Sequence, residues 1–217
     1  MGKLYGIGIG PGDPELLTIK AVKVIKSCDV VFLPSSKGFS LAEKVIEGYI
    51  KDKTRVYFDF PMGKDNFDNY KKAAQTIYSL LMEGKTGAFV TIGDALAYST
   101  FIYLYRELER LDVEVEIIPG VPSFCAVFSK LKIPFSEKGQ TVLISDKMVR
   151  EESLNFVDSV ILLKGSLNKD AINILKKLGF KFYYAKRIYL DGETIYTDEK
   201  DILIDDDYFS ILIGKKE

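Results

Sequence analysis

Leu4-Tyr-Gly-Ile-Gly-Ile-Gly-Pro-Gly-Asp-Pro-Glu-Leu-Leu-Thr18 opens as an apolar run and breaks at once into a turn rich in glycine and proline. Residues 4–9 read as a buried strand, and a helical pattern starts at Pro14. Glycine lets the chain turn sharply and lets a ligand come close to the backbone. Asp13 is placed to cap the new helix, and Pro14 suits its first turn. A strand, a glycine turn and a helix N-terminus in succession form a ligand-binding corner of α/β proteins. Two nucleotide-binding versions of that corner fail on spacing. In G-x-G-x-x-G, starting at Gly6 puts Pro11 at the last position, and starting at Gly8 puts Asp13 there. The second predicted strand ends in Pro34-Ser35-Ser36, where an acidic ribose ligand would be expected. Gly84-Lys85-Thr86 imitates the end of a phosphate-binding loop, but the loop's first glycine falls on Ser79.

Outward from this corner, strand-like runs at 3–9, 29–33, 54–58, 86–92 and 113–118 alternate with helical ones at 14–27, 40–50, 66–83 and 98–110. That alternation predicts a mostly parallel sheet with helices on both faces. The turns at 10–14, 93–97 and 119–123 then lie at strand C-terminal ends, where open α/β sheets bind ligands. Residues 133–139 read as a linker. Beyond it come strand-like runs at 141–145, 159–163, 181–185, 193–197 and 208–213, one helix at 168–178 stopping at Gly179, and a hairpin signal at Asp191-Gly192. The expected organisation is an N-terminal α/β domain over 1–134 and a smaller, partly antiparallel α/β domain over 135–217. Asp205-Asp206-Asp207 reads as a solvated turn, since no partner ligands flank it.

Composition narrows the chemistry. The 217 residues are 47% hydrophobic and 28% charged, with no apolar run of membrane-spanning length. The first strand starts at the N-terminus, so no leader peptide is expected. A net charge of −1 argues against bulk binding to nucleic acid. The absence of histidine removes Ser-His-Asp and Cys-His catalysis and His-ligated zinc, and no metal is expected. Cys28 and Cys125 form no C-x-x-C and read as buried reduced thiols of a cytoplasmic protein. Few glutamines beside many Lys, Glu and Ile point to a thermophilic source.

Three motifs stand in one order: 10–18 (GPGDPELLT), 93–100 (GDALAYST) and 119–124 (PGVPSF). Together they resemble the tetrapyrrole methylase family, S-adenosylmethionine-dependent enzymes of corrin and sirohaem synthesis, over nearly the whole chain. Residues 32–42 (FLPSSKGFSLA), Phe60-Pro61-Met62 and the 93–101 run are similar to the precorrin-2/cobalt-factor II C-20 methyltransferases within it. One departure stands out: Ala95 occupies the place of the proline in the family's Gly-Asp-Pro. The resemblance implies two αβα domains with S-adenosylmethionine between them. It implies cofactor contacts from Pro11, Ile92, Gly93, Asp94, Ala97, Tyr98, Ser99, Pro122, Ser123 and Phe124, and, from the second domain, Lys164, residues near 185–188 and Phe209.

Several of these residues have a second reading. Asp94 can accept hydrogen bonds from the cofactor's hydroxyls or ammonium, or cap the helix predicted at 98–110. Ser123 either caps its own helix or touches cofactor, Phe124 could be core, and Lys164 could be an exposed surface lysine.

The activity implied is methyl transfer to C-20 of precorrin-2 or cobalt-factor II, by a homodimer. The substrate is a polycarboxylate, so a nearly neutral chain needs local cations. Lys37, Lys64 and Arg187 are the candidates, with Lys147, Arg150 and Lys164 behind them. No catalytic base is assigned. The alternatives are a sister corrin methyltransferase, diphthine synthase, and a non-catalytic ligand-binding α/β module.

Overall fold

The computed structural model describes residues 1–36, 38–61 and 66–216. The chain divides into two compact units, Met1–Pro122 and Ser123–Glu217.

In the first unit, β1 (Leu4–Gly8), β2 (Val30–Ser35), β3 (Thr54–Asp59), β4 (Gly87–Thr91) and β5 (Val115–Ile118) form one sheet in the order β3-β2-β4-β1-β5. Every pairing in it is parallel. Parallel neighbours require crossovers, which α1 (Ile19–Ser27), α2 (Leu41–Ile46), α3 (Phe67–Met82) and α4 (Phe101–Glu109) supply. Alternation along the strands assigns the faces. Val31, Leu33, Ala88 and Val90 pack with Ala21 and Ile25 of α1 and Ala42, Val45 and Ile46 of α2. Val30, Phe32 and Phe89 pack with Ala73 and Ile77 of α3 and Phe101 and Leu104 of α4. Each fully buried phenylalanine of that second cluster contributes about 2–3 kcal/mol of transfer free energy.

The predicted helix over 14–27 is two pieces, a 3-10 turn at Pro14–Leu16 and then α1. Asp13 caps the first piece through Glu15 N–H (2.9 Å), and Thr18 restarts the helix by accepting from Ala21 N–H (3.1 Å). The apolar periodicity runs through both pieces and hides the break.

The second unit holds α5 (Ser123–Leu131), β6 (Val142–Ser145), α6 (Glu151–Leu154), β7 (Ser159–Leu163), α7 (Ala171–Lys177), β8 (Lys181–Lys186), β9 (Thr194–Tyr196), α8 (Glu199–Ile204) and β10 (Ser210–Lys215). Its sheet order is β6-β7-β10-β8-β9. Only β6–β7 is parallel. Leu154, Val160, Leu162, Leu175, Tyr184, Ile202 and Leu212 form its core. The division between units falls before α5, whereas the linker signal at 133–139 lies beyond that helix. β8 and β9 do pair as a hairpin, but their connection is the whole of 187–193 rather than a two-residue turn at Asp191-Gly192.

Candidate functional site

The strand order places β1 between β4 and β5, so the C-terminal ends of these three strands adjoin. The chain continues to pair beyond the strands. Ile9 N–H donates to Thr91 O (2.9 Å), Gly10 N–H to Gly93 O (3.1 Å) and Gly93 N–H to Gly10 O (2.7 Å). Gly10 and Gly93 both hold φ +76°, the left-handed region that a side chain disfavours.

The third loop closes on the other two at Gly120. A Cβ there would lie 2.3 Å from Gly93 O and 2.5 Å from Gly8 C, and one at Gly8 would lie 2.7 Å from Gly120 N. Only glycines allow this contact of three backbones.

Asp94 ties the loops together. Its Oδ1 accepts from Leu96 N–H (2.9 Å) and its Oδ2 from Gly120 N–H (3.1 Å). The capping reading is therefore corrected: α4 begins at Phe101, past the reach of Asp94. Ser99 serves that helix instead, its Oγ accepting from Phe101 N–H (3.1 Å) and lying 3.2 Å from Thr91 Oγ1. Ala95 is fully buried, while Leu96 and Tyr98 expose about half their surface, Tyr98 at φ +53°. Pro11 is buried, and Ile92, Asp94 and Ala97 are half-buried.

A carboxylate with two backbone donors still has lone pairs for a ligand. Residues 9–16, 92–100 and 118–124 contain no lysine or arginine, and they carry Asp13, Glu15 and Asp94. This cluster is rich in acceptors and carries no cation of its own.

Pro122 ends the first unit, and Ser123 and Phe124 open α5 in the second, both half-buried. Ser123 is the first residue of α5, so the cap position falls on Pro122.

Two of the second unit's candidate cations have partners. Lys164 sits at φ +54° after β7, 3.5 Å from an Asp146 carboxylate oxygen and 5.7 Å from the Tyr208 ring centroid. Arg187 follows β8 at φ +51°, with its Nε on Asp207. Asp205 is 8% exposed, so the reading of the triple-aspartate turn as solvated fits the exposed Asp206 but not Asp205. Its carboxylate takes Tyr184 OH (2.9 Å), Asp207 N–H (3.0 Å) and the Lys186 ammonium. Burial pushes its pKa upward, and these hydrogen bonds, Lys186 first, hold it below the ordinary value.

Lys37 and Lys64 lie outside the described residues. Lys147 and Arg150 are exposed, Arg150 beside Glu152, Ser153 and Phe156 around an open depression. Neither cysteine is poised for chemistry: burial pushes the Cys28 thiol up to about 11, and the half-buried Cys125 also rises by burial. Among the described residues no three His, Cys, Asp or Glu side chains group as metal ligands, and no helix is long and apolar enough to cross a membrane.

The backbone contacts of Gly8 and Gly120, and the partnering of Arg187 with Asp207, have no local sequence signal. They join residues far apart in the chain that only the sheet order brings together.

Comparison with known proteins adds a consistent picture. The sequence profile of the Tetrapyrrole (Corrin/Porphyrin) Methylases matches residues 3–199. A probable cobalt-precorrin-2 C(20)-methyltransferase of Methanocaldococcus jannaschii is 32% identical over 221 residues, covering 99% of this chain and 96% of that protein. The cobalt-precorrin-2 C(20)-methyltransferase of Salmonella typhimurium is 32% identical over 75% of this chain and 73% of its own length. At similar identity stand methyltransferases named for other tetrapyrrole steps, including a uroporphyrinogen-III C-methyltransferase. The solved uroporphyrin-III C-methyltransferase of Thermus thermophilus, complexed with S-adenosylhomocysteine, superposes with a TM-score of 0.73 at 19% identity, over 99% of this chain and 97% of that one. At that identity the likeness speaks for the fold.

Proposed function

The chain belongs to the tetrapyrrole methylase family, and from that premise we propose that it transfers a methyl group from S-adenosylmethionine to C-20 of a precorrin-2-type tetrapyrrole. The observation that carries the cofactor half is the loop cluster at the ends of β1, β4 and β5. S-adenosylmethionine carries a sulfonium and an ammonium and no phosphate. A cluster with Asp94 at its centre and no lysine or arginine fits the sulfonium and ammonium, while the cofactor's single carboxylate is left to backbone N–H donors or solvent. It is poorly suited to a nucleotide phosphate for the same reason.

When bound, the cofactor supplies the activated methyl group. The chain's own contribution is placement. Pro11, Gly93 and Gly10 give a close, rigid backbone wall, because both glycine conformations are fixed by paired hydrogen bonds. Asp94 offers its remaining lone pairs from a carboxylate that two backbone donors have already oriented. Leu96 and Tyr98 extend exposed apolar surface from the same loop, which is where a ring substrate would displace water. Alignment of donor and acceptor can supply on the order of 7–11 kcal/mol of such a barrier reduction. The electron-rich macrocycle provides the carbon nucleophile and S-adenosylhomocysteine leaves, so no side-chain nucleophile is required; the proton displaced from C-20 then passes to a carboxylate, a tyrosine, water or a substrate carboxylate, since the chain has no histidine.

Assignment to C-20 rests on the two C(20)-methyltransferase relatives and on the 32–42 and 93–101 segments. The reading includes a homodimer in the cytoplasm. It is tested by incubating the protein with methyl-labelled S-adenosylmethionine and either metal-free or cobalt-loaded precorrin-2, then reading product mass and label position. One added methyl at C-20 supports it. A methyl at another carbon reassigns the protein to a sister step, and transfer to neither substrate refutes it.

A further inference from the structure

The Asp205–Asp207 turn is not used by the cofactor loops, yet it organises the second unit's cations. Asp207 Oδ1 accepts from Phe209 N–H (2.9 Å), and its backbone carbonyl accepts from Ser210 Oγ (2.6 Å). Ser210 Oγ in turn accepts from Ser166 N–H (2.9 Å), in the loop that begins with Lys164. The other oxygen of Asp207 meets Nε of Arg187, whose own N–H donates to Phe209 O (2.8 Å). The Arg187 stem lies against Gly192, where a Cβ would stand 3.3 Å from Arg187 Cδ. Stem, backbone and Nε of Arg187 are therefore all fixed. Among the described residues the two Nη groups have no hydrogen-bond partner, and the side chain is 43% exposed. A guanidinium gripped through Nε and open at Nη presents a planar fork of the width of a carboxylate.

We propose that Asp207 is a positioning residue that aims the Nη fork of Arg187 at a carboxylate of the tetrapyrrole substrate. This rests on the methyltransferase reading and adds to it the residue that orients the anchor. It also separates positioning from plain electrostatics. If Asp207 acted only as a nearby charge, removing it would strengthen the binding of an anion. If it positions Arg187, removing it weakens that binding, because a released arginine must be ordered again on each encounter.

The test uses the full chain with uroporphyrin III, an octacarboxylate tetrapyrrole, titrated by fluorescence, and S-adenosylhomocysteine by calorimetry. Arg187→Gln is expected to weaken uroporphyrin binding about tenfold, the loss of one charge-assisted hydrogen-bonded pair. Asp207→Asn should weaken it severalfold, and Asp206→Asn, the same charge change at the exposed neighbour, should leave it unchanged or slightly tighter. All three should bind S-adenosylhomocysteine like the wild type. Wild-type affinity for uroporphyrin in Arg187→Gln, or tighter binding in Asp207→Asn, overturns the proposal. So does a wild type that binds S-adenosylhomocysteine but not uroporphyrin. A wild type that fails to bind S-adenosylhomocysteine refutes the methyltransferase reading itself. Should Asp207→Asn unfold, Asp207→Glu takes its place: it keeps the charge but moves it, so severalfold weaker uroporphyrin binding is expected and wild-type affinity overturns the proposal.

Discussion

On the proposed reading Asp94 combines two duties in one side chain, tying the loops and holding cofactor, and substitutions can separate them. Its oxygens each accept a backbone N–H, from Leu96 and from Gly120. Asp94→Ala leaves both donors without a partner, and a cost of about 1–3 kcal/mol is expected in denaturant unfolding. The same variant should weaken S-adenosylhomocysteine binding in calorimetry by at least tenfold. Asp94→Asn keeps one acceptor and should recover most of the stability but less of the affinity. Equal recovery of both would make Asp94 a structural residue only. Glu116 offers a pH test. Hydrogen bonds from Lys20 and Lys3 hold its carboxyl down to about 2, below the ordinary 4.5. A depressed carboxyl contributes stability above its unfolded value, and that contribution fades as pH falls from about 4.5 to about 2. Glu116→Gln should therefore flatten the fall in melting temperature over that window and change nothing in its slope above it. An unchanged acid slope would place the ion pairs among those that add nothing measurable.

The elements were legible wherever periodicity and composition agreed. All five strands of the first unit lie where apolar runs of strand length occur, and β7 occupies 159–163 as read. Reading failed where a local hydrogen bond decided the outcome. Thr18 restarts a helix inside an unbroken apolar pattern. The short α6 and α8 carry too few apolar positions to show a period, and each is held by packing of one residue, Leu154 and Ile202, into the core. The 187–193 loop runs through two left-handed non-glycine residues, Arg187 and Tyr189. These are stabilised by distant partners: Glu193 accepts from Tyr189 N–H (2.6 Å), and Lys130 of α5 lies 3.0 Å from Glu193 and 4.0 Å from the Tyr189 ring. At the site, the glycines of the motifs were legible, but the reason for Gly120 was not, since its constraint is Gly93 O across two strands. Gly120→Ala is expected to abolish soluble expression or to lower the melting temperature by several degrees, because backbone, not a movable side chain, blocks the added methyl group. A melting temperature within a degree of wild type would contradict the three-loop contact.

At the scale of the whole molecule, family and fold class were legible because the three motifs recur at fixed places in the chain. The partners of the candidate residues after Pro122 were not legible, since pairs such as Arg187–Asp207 carry no motif. Assembly is a separate expectation. A symmetric dimer is the commonest closed oligomer, and light scattering at micromolar concentration should return about twice the 24.5 kDa chain mass. A mass of one chain would refute the dimer without touching the site. The central claim is that the loops following β1, β4 and β5 hold S-adenosylmethionine. The most direct measurement is a crystal structure of the protein with S-adenosylhomocysteine. The account predicts the ligand against Pro11, residues 93–97 and Pro122, with Asp94 hydrogen-bonded to it while still holding Gly120. Ligand bound away from these loops, or no ligand at concentrations that saturate the wild type in calorimetry, would contradict it.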